Sequence, residues 1–108
     1  DMIVGDGFNP LEFSVNNEEE ISSLSVSKAY PNPFNPTTNF EYSIANSGHV
    51  KVTVFDVTGR QVSVIENSYK NAGDYSLIWD AKNNTSGIYY IQILSGNDIE
   101  TQKVVLLK

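Results

Sequence analysis

From Leu24 onward the chain alternates apolar and polar residues with a period of two. Leu24 and Val26 alternate in "SLSVS". Phe40, Tyr42 and Ile44 alternate against Asn39, Glu41 and Ser43, and Val50, Val52 and Val54 against His49, Lys51 and Thr53. In "YSLIW" Tyr75, Leu77 and Trp79 share one face, and "IYYIQIL" is apolar on both faces, as an interior strand would be. The last run holds Val104, Val105, Leu106 and Leu107. This alternation predicts half-buried antiparallel strands, and Val, Ile, Tyr, Phe and Thr supply the matching propensity.

Turn formers separate the runs: "NSG" at 46–48, "TGR" at 58–60, "NAG" at 71–73, "NNTSG" at 83–87 and "SGND" at 95–98. Each offers a residue that tolerates positive φ. Seven strands fit between Leu24 and Lys108, with no segment of helical periodicity and one tryptophan for the core. The fold class expected is all-β, an immunoglobulin-like antiparallel sandwich. The chain has no cysteine, so the likeness to antibody domains is architectural, and disulfides and thiolate metal sites are excluded.

Residues 1–23 read differently. Gly, Asn and the acidic run Glu18–Glu19–Glu20 surround a few apolar residues, as in a linker or N-terminal extension. An extra edge strand around Leu11 to Val15 is the alternative. The domain proper is then 24–108. The chain opens at Asp1 with no basic-then-apolar leader, so it reads as a piece of a longer precursor. Of the 108 residues, 40% are hydrophobic, enough for a core, and no apolar run approaches the roughly 18 residues of a membrane helix. A net charge of −6 argues against nucleic acid as a partner.

The chemistry of catalysis is absent from the sequence. The one histidine, His49, stands at a strand start with no partner for a triad or a metal, and is expected at the surface. No nucleophile elbow, phosphate-binding glycine loop or zinc-protease motif occurs, so the chain is not read as an enzyme. Asp56, Asp74, Asp80 and Asp98 are spread over turns, and none of their spacings matches an EF-hand loop. Turn chemistry is the favoured reading, a structural calcium the lesser one, and no cofactor is expected. "NNTSG" also holds overlapping N-x-[ST] sequons at Asn83 and Asn84.

Four phrases carry local structure. In "FDVTGRQV", Asp56 can accept from backbone amides two or three residues on, Gly59 can take a left-handed conformation, and Arg60 can pair with Asp56. Val57 and Val62 would flank this hairpin. In "GIYYIQIL", Ile88, Tyr90, Gln92 and Leu94 share one face and Tyr89, Ile91 and Ile93 the other, and both faces should be covered, one by the facing sheet and one by neighbours or a partner. The run "TQKVVLLK" is free to be an edge strand, a template for pairing and self-association, where Lys103 and Lys108 would act as gatekeepers or as contacts for a receptor. In "PNPFNP", Pro31, Pro33 and Pro36 fix φ and hold Tyr30, Asn32 and Asn35 extended. The phrase should be a rigid crossing between the first two strands, with Phe34 plugging one end of the sandwich. A proline-recognition motif is disfavoured, for P-x-x-P occurs only from Pro33 to Pro36.

In order, "YPNPFNPTT", "VFDVTGRQV", "GDYSLIWD", "SGIYYI" and "KVVLLK" resemble the C-terminal sorting domain of the type IX secretion system of Bacteroidetes, over about residues 24–108. The related immunoglobulin-like domain of flagellar hook-capping proteins shares the strand pattern. The resemblance implies a non-catalytic domain that directs an exported parent protein through the outer membrane to the cell surface or medium. Its partners would be the type IX translocon and a sortase-like cysteine protease that clips the domain off, here in the linker between Asn16 and Ser27. The sorting signal carries over to Gly87, Ile88, Tyr89, Lys103, Val104, Val105, Leu106, Leu107 and Lys108. The alternative is a structural or carbohydrate-binding accessory module, either hook-cap-like or attached to a larger secreted enzyme. Sugar stacking would then use Tyr69, Tyr75 or Trp79.

Overall fold

The computed structural model describes residues 23–108, so the expected extension, with its edge strand around Leu11 to Val15, lies outside the described residues apart from Ser23. The strands are β1 (Leu24–Val26), β2 (Thr37–Ile44), β3 (Gly48–Asp56), β4 (Gln61–Lys70), β5 (Gly73–Asp80), β6 (Gly87–Ser95) and β7 (Asp98–Leu106). They form two antiparallel sheets, ordered β1-β2-β5 and β4-β3-β6-β7. The chain changes sheet after β2, β4 and β5, as an immunoglobulin-like sandwich requires. The expected all-β sandwich of seven strands is the fold observed.

The core is the set of alternating residues read from the sequence. Phe40, Tyr42 and Ile44 of β2 face Val50, Val52 and Val54 of β3, with Ile91 and Ile93 of β6 and Val104 and Leu106 of β7 beside them, all buried. Each such side chain contributes about 1.5–3 kcal/mol of burial. The interior position of β6, between β3 and β7, matches its doubly apolar sequence.

The two outer faces differ in charge. Asn39 and Glu41 of β2 and Asp74 and Ser76 of β5 give the three-stranded sheet a polar, acidic surface broken by Ile78, which is 62% exposed. The four-stranded sheet instead turns Ile88, Tyr90 and Ile99 outward, all exposed among the described residues. The inward face of β6 is covered by the facing sheet, as expected; on the outward face the neighbouring strands leave Ile88 and Tyr90 exposed, so they do not supply the cover there.

β4 shifts register twice against β3, between Val52 and Thr53 and between Val54 and Phe55. Such irregularities bend a strand. The far part of β4 carries Glu66, which accepts from Ser68 and pairs with Lys70 at 3.5 Å. The Lys70 ammonium lies 5.0 Å from the centre of the Tyr75 ring, and Tyr75 stacks on Tyr42 at 5.3 Å. The Tyr42 hydroxyl is buried and has no hydrogen-bond partner among the described residues. Burial first, and the Glu66 charge second, push its pKa up to about 12.

An unpaired buried hydroxyl costs about 1–3 kcal/mol. Tyr42→Phe removes it without emptying the site, so urea denaturation should show unchanged or greater stability. A loss above about 1 kcal/mol would contradict the assignment. The pH sign follows from the raised pKa. The folded state holds the phenolic proton longer than the unfolded chain, so stability falls as pH rises from about 10 towards 12, and the variant should lose part of that fall.

Candidate functional site

The proline phrase sits across the seam between the two sheets. On one side it is tied to β2: Tyr30 and Asn39 exchange backbone hydrogen bonds of 2.8 and 3.0 Å, and the Thr38 hydroxyl donates to the Pro31 carbonyl at 2.8 Å. At its end Ala81 N–H donates to the Pro36 carbonyl at 2.9 Å. The X-Pro bonds before Pro31, Pro33 and Pro36 are cis.

On its other side the phrase closes the outer edge of β7. Val105 N–H donates to the Asn32 side-chain oxygen at 2.9 Å, and the Asn32 amide donates back to the Lys103 carbonyl at 3.1 Å. Phe34 N–H donates to the Val105 carbonyl at 2.9 Å, and Leu107 N–H to the Phe34 carbonyl at 3.0 Å. A side-chain amide thus stands where a neighbouring peptide group would stand in a ladder. Pro31 and Pro33 have no N–H, which leaves the covering segment with few donors for another strand. The expected edge strand is present, but its Lys103–Leu107 half is covered by this phrase rather than guarded by lysines alone.

Phe34 is the plug foreseen from its isolation between prolines. It is buried and lies 5.5 Å from Trp79, which in turn meets Tyr89 edge-on at 5.2 Å. The Tyr89 hydroxyl donates to the Thr85 carbonyl, four residues upstream, at 2.7 Å. This is the tyrosine corner of immunoglobulin-like sandwiches, and it pins the loop before β6. Lys108 ties the chain to the same loop: its N–H donates to Ser86 Oγ at 2.9 Å and its ammonium to the Lys82 carbonyl at 2.6 Å.

The "DVTGR" turn lies at this end too. Asp56 Oδ1 accepts from Thr58 N–H at 2.9 Å, the Thr58 hydroxyl at 2.6 Å and Arg60 N–H at 3.1 Å. The amides are two and four residues on, one further than the expected two or three, for Gly59 N–H donates instead to the Asp56 carbonyl. Gly59 is left-handed at φ 87°, and Arg60 Nε lies 3.3 Å from the second Asp56 oxygen. The Thr58 hydroxyl, ahead of the two amides and the Arg60 charge, holds the Asp56 carboxyl below its ordinary pKa. An open cleft of about 390 Å³ separates this turn, at Val57 and Arg60, from the loop at Asn84 and Ser86.

The proline phrase, the "DVTGR" turn and the expected sorting-signal residues therefore gather at one end of the sandwich. They divide by access. Phe34, Tyr89, Val104 and Leu106 face the core, whereas Ile88, Lys103, Leu107 and Lys108 are exposed and Gly87 and Val105 are half-buried. Two contributors escaped the sequence reading: Thr38, and Gln102, which accepts from Ala29 N–H at 2.8 Å and donates to the Ser27 carbonyl at 3.0 Å. The cue for Gln102 was a polar residue on the inward register of an apolar strand.

The remaining candidates stand elsewhere. His49 is exposed and bonded to Asn67. Asp74 accepts from the Ser43 hydroxyl, Asp80 from Lys82 N–H and Asp98 from Ser23. Among the described residues no three His, Cys, Asp or Glu side chains come together as a metal would need. Of the three aromatics suggested for sugar stacking, Trp79 is 3% exposed and belongs to the core, because its ring fills the space between Phe34 and Tyr89. Tyr75 is half-buried against Tyr42, which leaves Tyr69 exposed.

Residues 28–107 match the family model of the secretion system C-terminal sorting domain. The chain belongs to that family. No curated protein matches it. The matched span begins just before the proline phrase and ends within the last residues tied to it, so it takes in β2 to β7 and leaves out β1. Sorting domains of this kind act in type IX secretion, engage its machinery, are generally not catalytic, and imply a parent protein that is secreted or displayed at the surface.

Two outcomes follow. Asn32→Ala should speed hydrogen exchange at the Val105 amide well beyond that at Val104 and lower stability by about 1 kcal/mol. Equal exchange in both proteins would mean that the side-chain amide does not close the edge. For Asp56, a depressed folded pKa gives stabilisation present above pH about 4 and lost as pH falls further. Asp56→Asn should accordingly flatten the acid limb of a thermal-melting profile below that pH.

Proposed function

We propose that this sorting domain is a non-catalytic address that carries its parent through the type IX translocon to the cell surface or medium, and that a sortase-like cysteine protease then clips it off. The observation that carries the reading is the gathering of the proline phrase, the "DVTGR" turn, the start of β6 and the end of β7 at one end, while Ser23, where residues 1–22 join, bonds Asp98 at the other. The eight residues of β2 run between the two ends, about 27 Å at 3.4 Å per residue. The point at which the preceding chain enters therefore lies at the opposite end from the signal. Leu24 is buried and β1 is paired with β2, so clipping fits the stretch from Asn16 to Ser23 better than the strand itself.

The alternative of a carbohydrate-binding module loses support with Trp79 buried and Tyr75 occupied. Removal of Lys103–Lys108 from a reporter carrying the full chain should leave the reporter in the periplasm of a type IX-competent host. Surface export at the normal level would refute the sorting role.

A further inference from the structure

Recognition of a folded strand can use its edge, its inward side chains or its outward ones. For Lys103–Leu107 the edge is taken by Asn32 and Phe34. The inward side chains of Val104 and Leu106 are fully buried. Only the outward set is left, and register places it beside β6: Val105 opposite Ile88, Lys103 opposite Tyr90 and Ile99 opposite Leu94.

That face has an unusual charge pattern. Acidic residues of its sheet all take inward register: Asp56 opposite Tyr89, Glu66 opposite Val52, Glu100 opposite Ile93 and Asp98 opposite Ser95. The outward positions hold Lys51 and Lys103 and no carboxylate. Composition does not force this. Residues 23–108 hold seven acids and seven bases, the acidic excess of the chain being confined to residues 1–20. Exposed apolar side chains on a charge-sorted face mark an interaction surface.

We infer that the secretion machinery docks on the outer face of β6 and β7, around Ile88, Tyr90, Lys103 and Val105, through a protein surface with an apolar floor and an acidic rim. This rests on the sorting reading above. Charge complementarity chooses the acidic partner. A lipid surface fits less well: two lysines hold an anionic membrane only weakly, and Ile88 and Tyr90, at 38% and 37% exposed, lie on the face of a sheet, not on a projecting loop.

The test uses the full chain fused behind a secreted reporter in a type IX-competent host. The double variant Tyr90→Ser with Lys103→Glu keeps the edge hydrogen bonds and the core, and its exported reporter should fall about tenfold or more. Lys103→Arg should export normally, and so should a control pair on the opposite sheet, Asn39→Lys with Ser76→Lys. Melting of the purified chains checks folding. If the double variant is destabilised, Lys103→Glu alone, at an exposed position, carries the test. Normal export by these face variants overturns the inference, while loss in the control pair as well removes its specificity and overturns it equally. Normal export after removal of Lys103–Lys108 marks failure of the sorting role itself. Purified chain that floats with phosphatidylglycerol vesicles, and no longer does so as Lys103→Glu, would assign the face to lipid and overturn the protein partner.

Discussion

The closure of the β7 edge by Asn32 and Phe34 is the contact on which the signature end of this domain depends. It joins residues more than 70 positions apart in sequence and does so with one side-chain amide and one backbone unit. Phe34 anchors both by burying its ring against Trp79. Trp79 rests on Tyr89, and Tyr89 holds the loop to which Lys108 is tied. The end of the last strand is thereby fixed in place by groups from the start of the domain. The prolines hold that start extended and give it little capacity to pair further.

The same arrangement assigns different work to the two sheets. The three-stranded sheet is solvated outward and receives the incoming chain at Ser23. The four-stranded sheet carries the signature and an apolar, lysine-bearing outer face. Its acidic groups stand on the inward register near strand ends, where Glu66 and Asp98 find local partners. Charge is thus sorted by register, since a strand gives successive residues to opposite faces.

Much of this was legible in the sequence. Period-two alternation located β2, β3, β5 and β6 and their inward residues, for a strand in a two-layer sandwich buries every second side chain. The "DVTGR" turn was readable because Asx bonding and a left-handed glycine are local. The pairing of Asn32 with Val105 was not, since no local period encodes a partner 73 residues away. An amide side chain flanked by prolines was the available hint, being a polar group that its own neighbours cannot satisfy. Trp79 was read both as core and as a sugar platform, and only its place between two other aromatics decides. Apolar residues on both sides of β6 imply two covers, and a two-layer fold supplies only one, which is why the other was left to neighbours or a partner and could not be decided from the strand itself.

Magnitudes separate two ways of reading the last strand. A partner that adds a strand along Lys103–Leu107 must first displace the proline phrase. It would supply new ladder bonds for those lost, but the burial of Phe34 would go unreplaced, about 1.5–3 kcal/mol, together with the contacts of Trp79 above it. Domains of this size are stable by about 5–15 kcal/mol in all, so that route spends a large share of the fold. Docking on the outer face disturbs neither the edge nor the plug, and it uses apolar area that is already exposed. The family phrases then serve one physical end: some hold the strand rigid and closed, and the rest stand on the surface that rigidity presents.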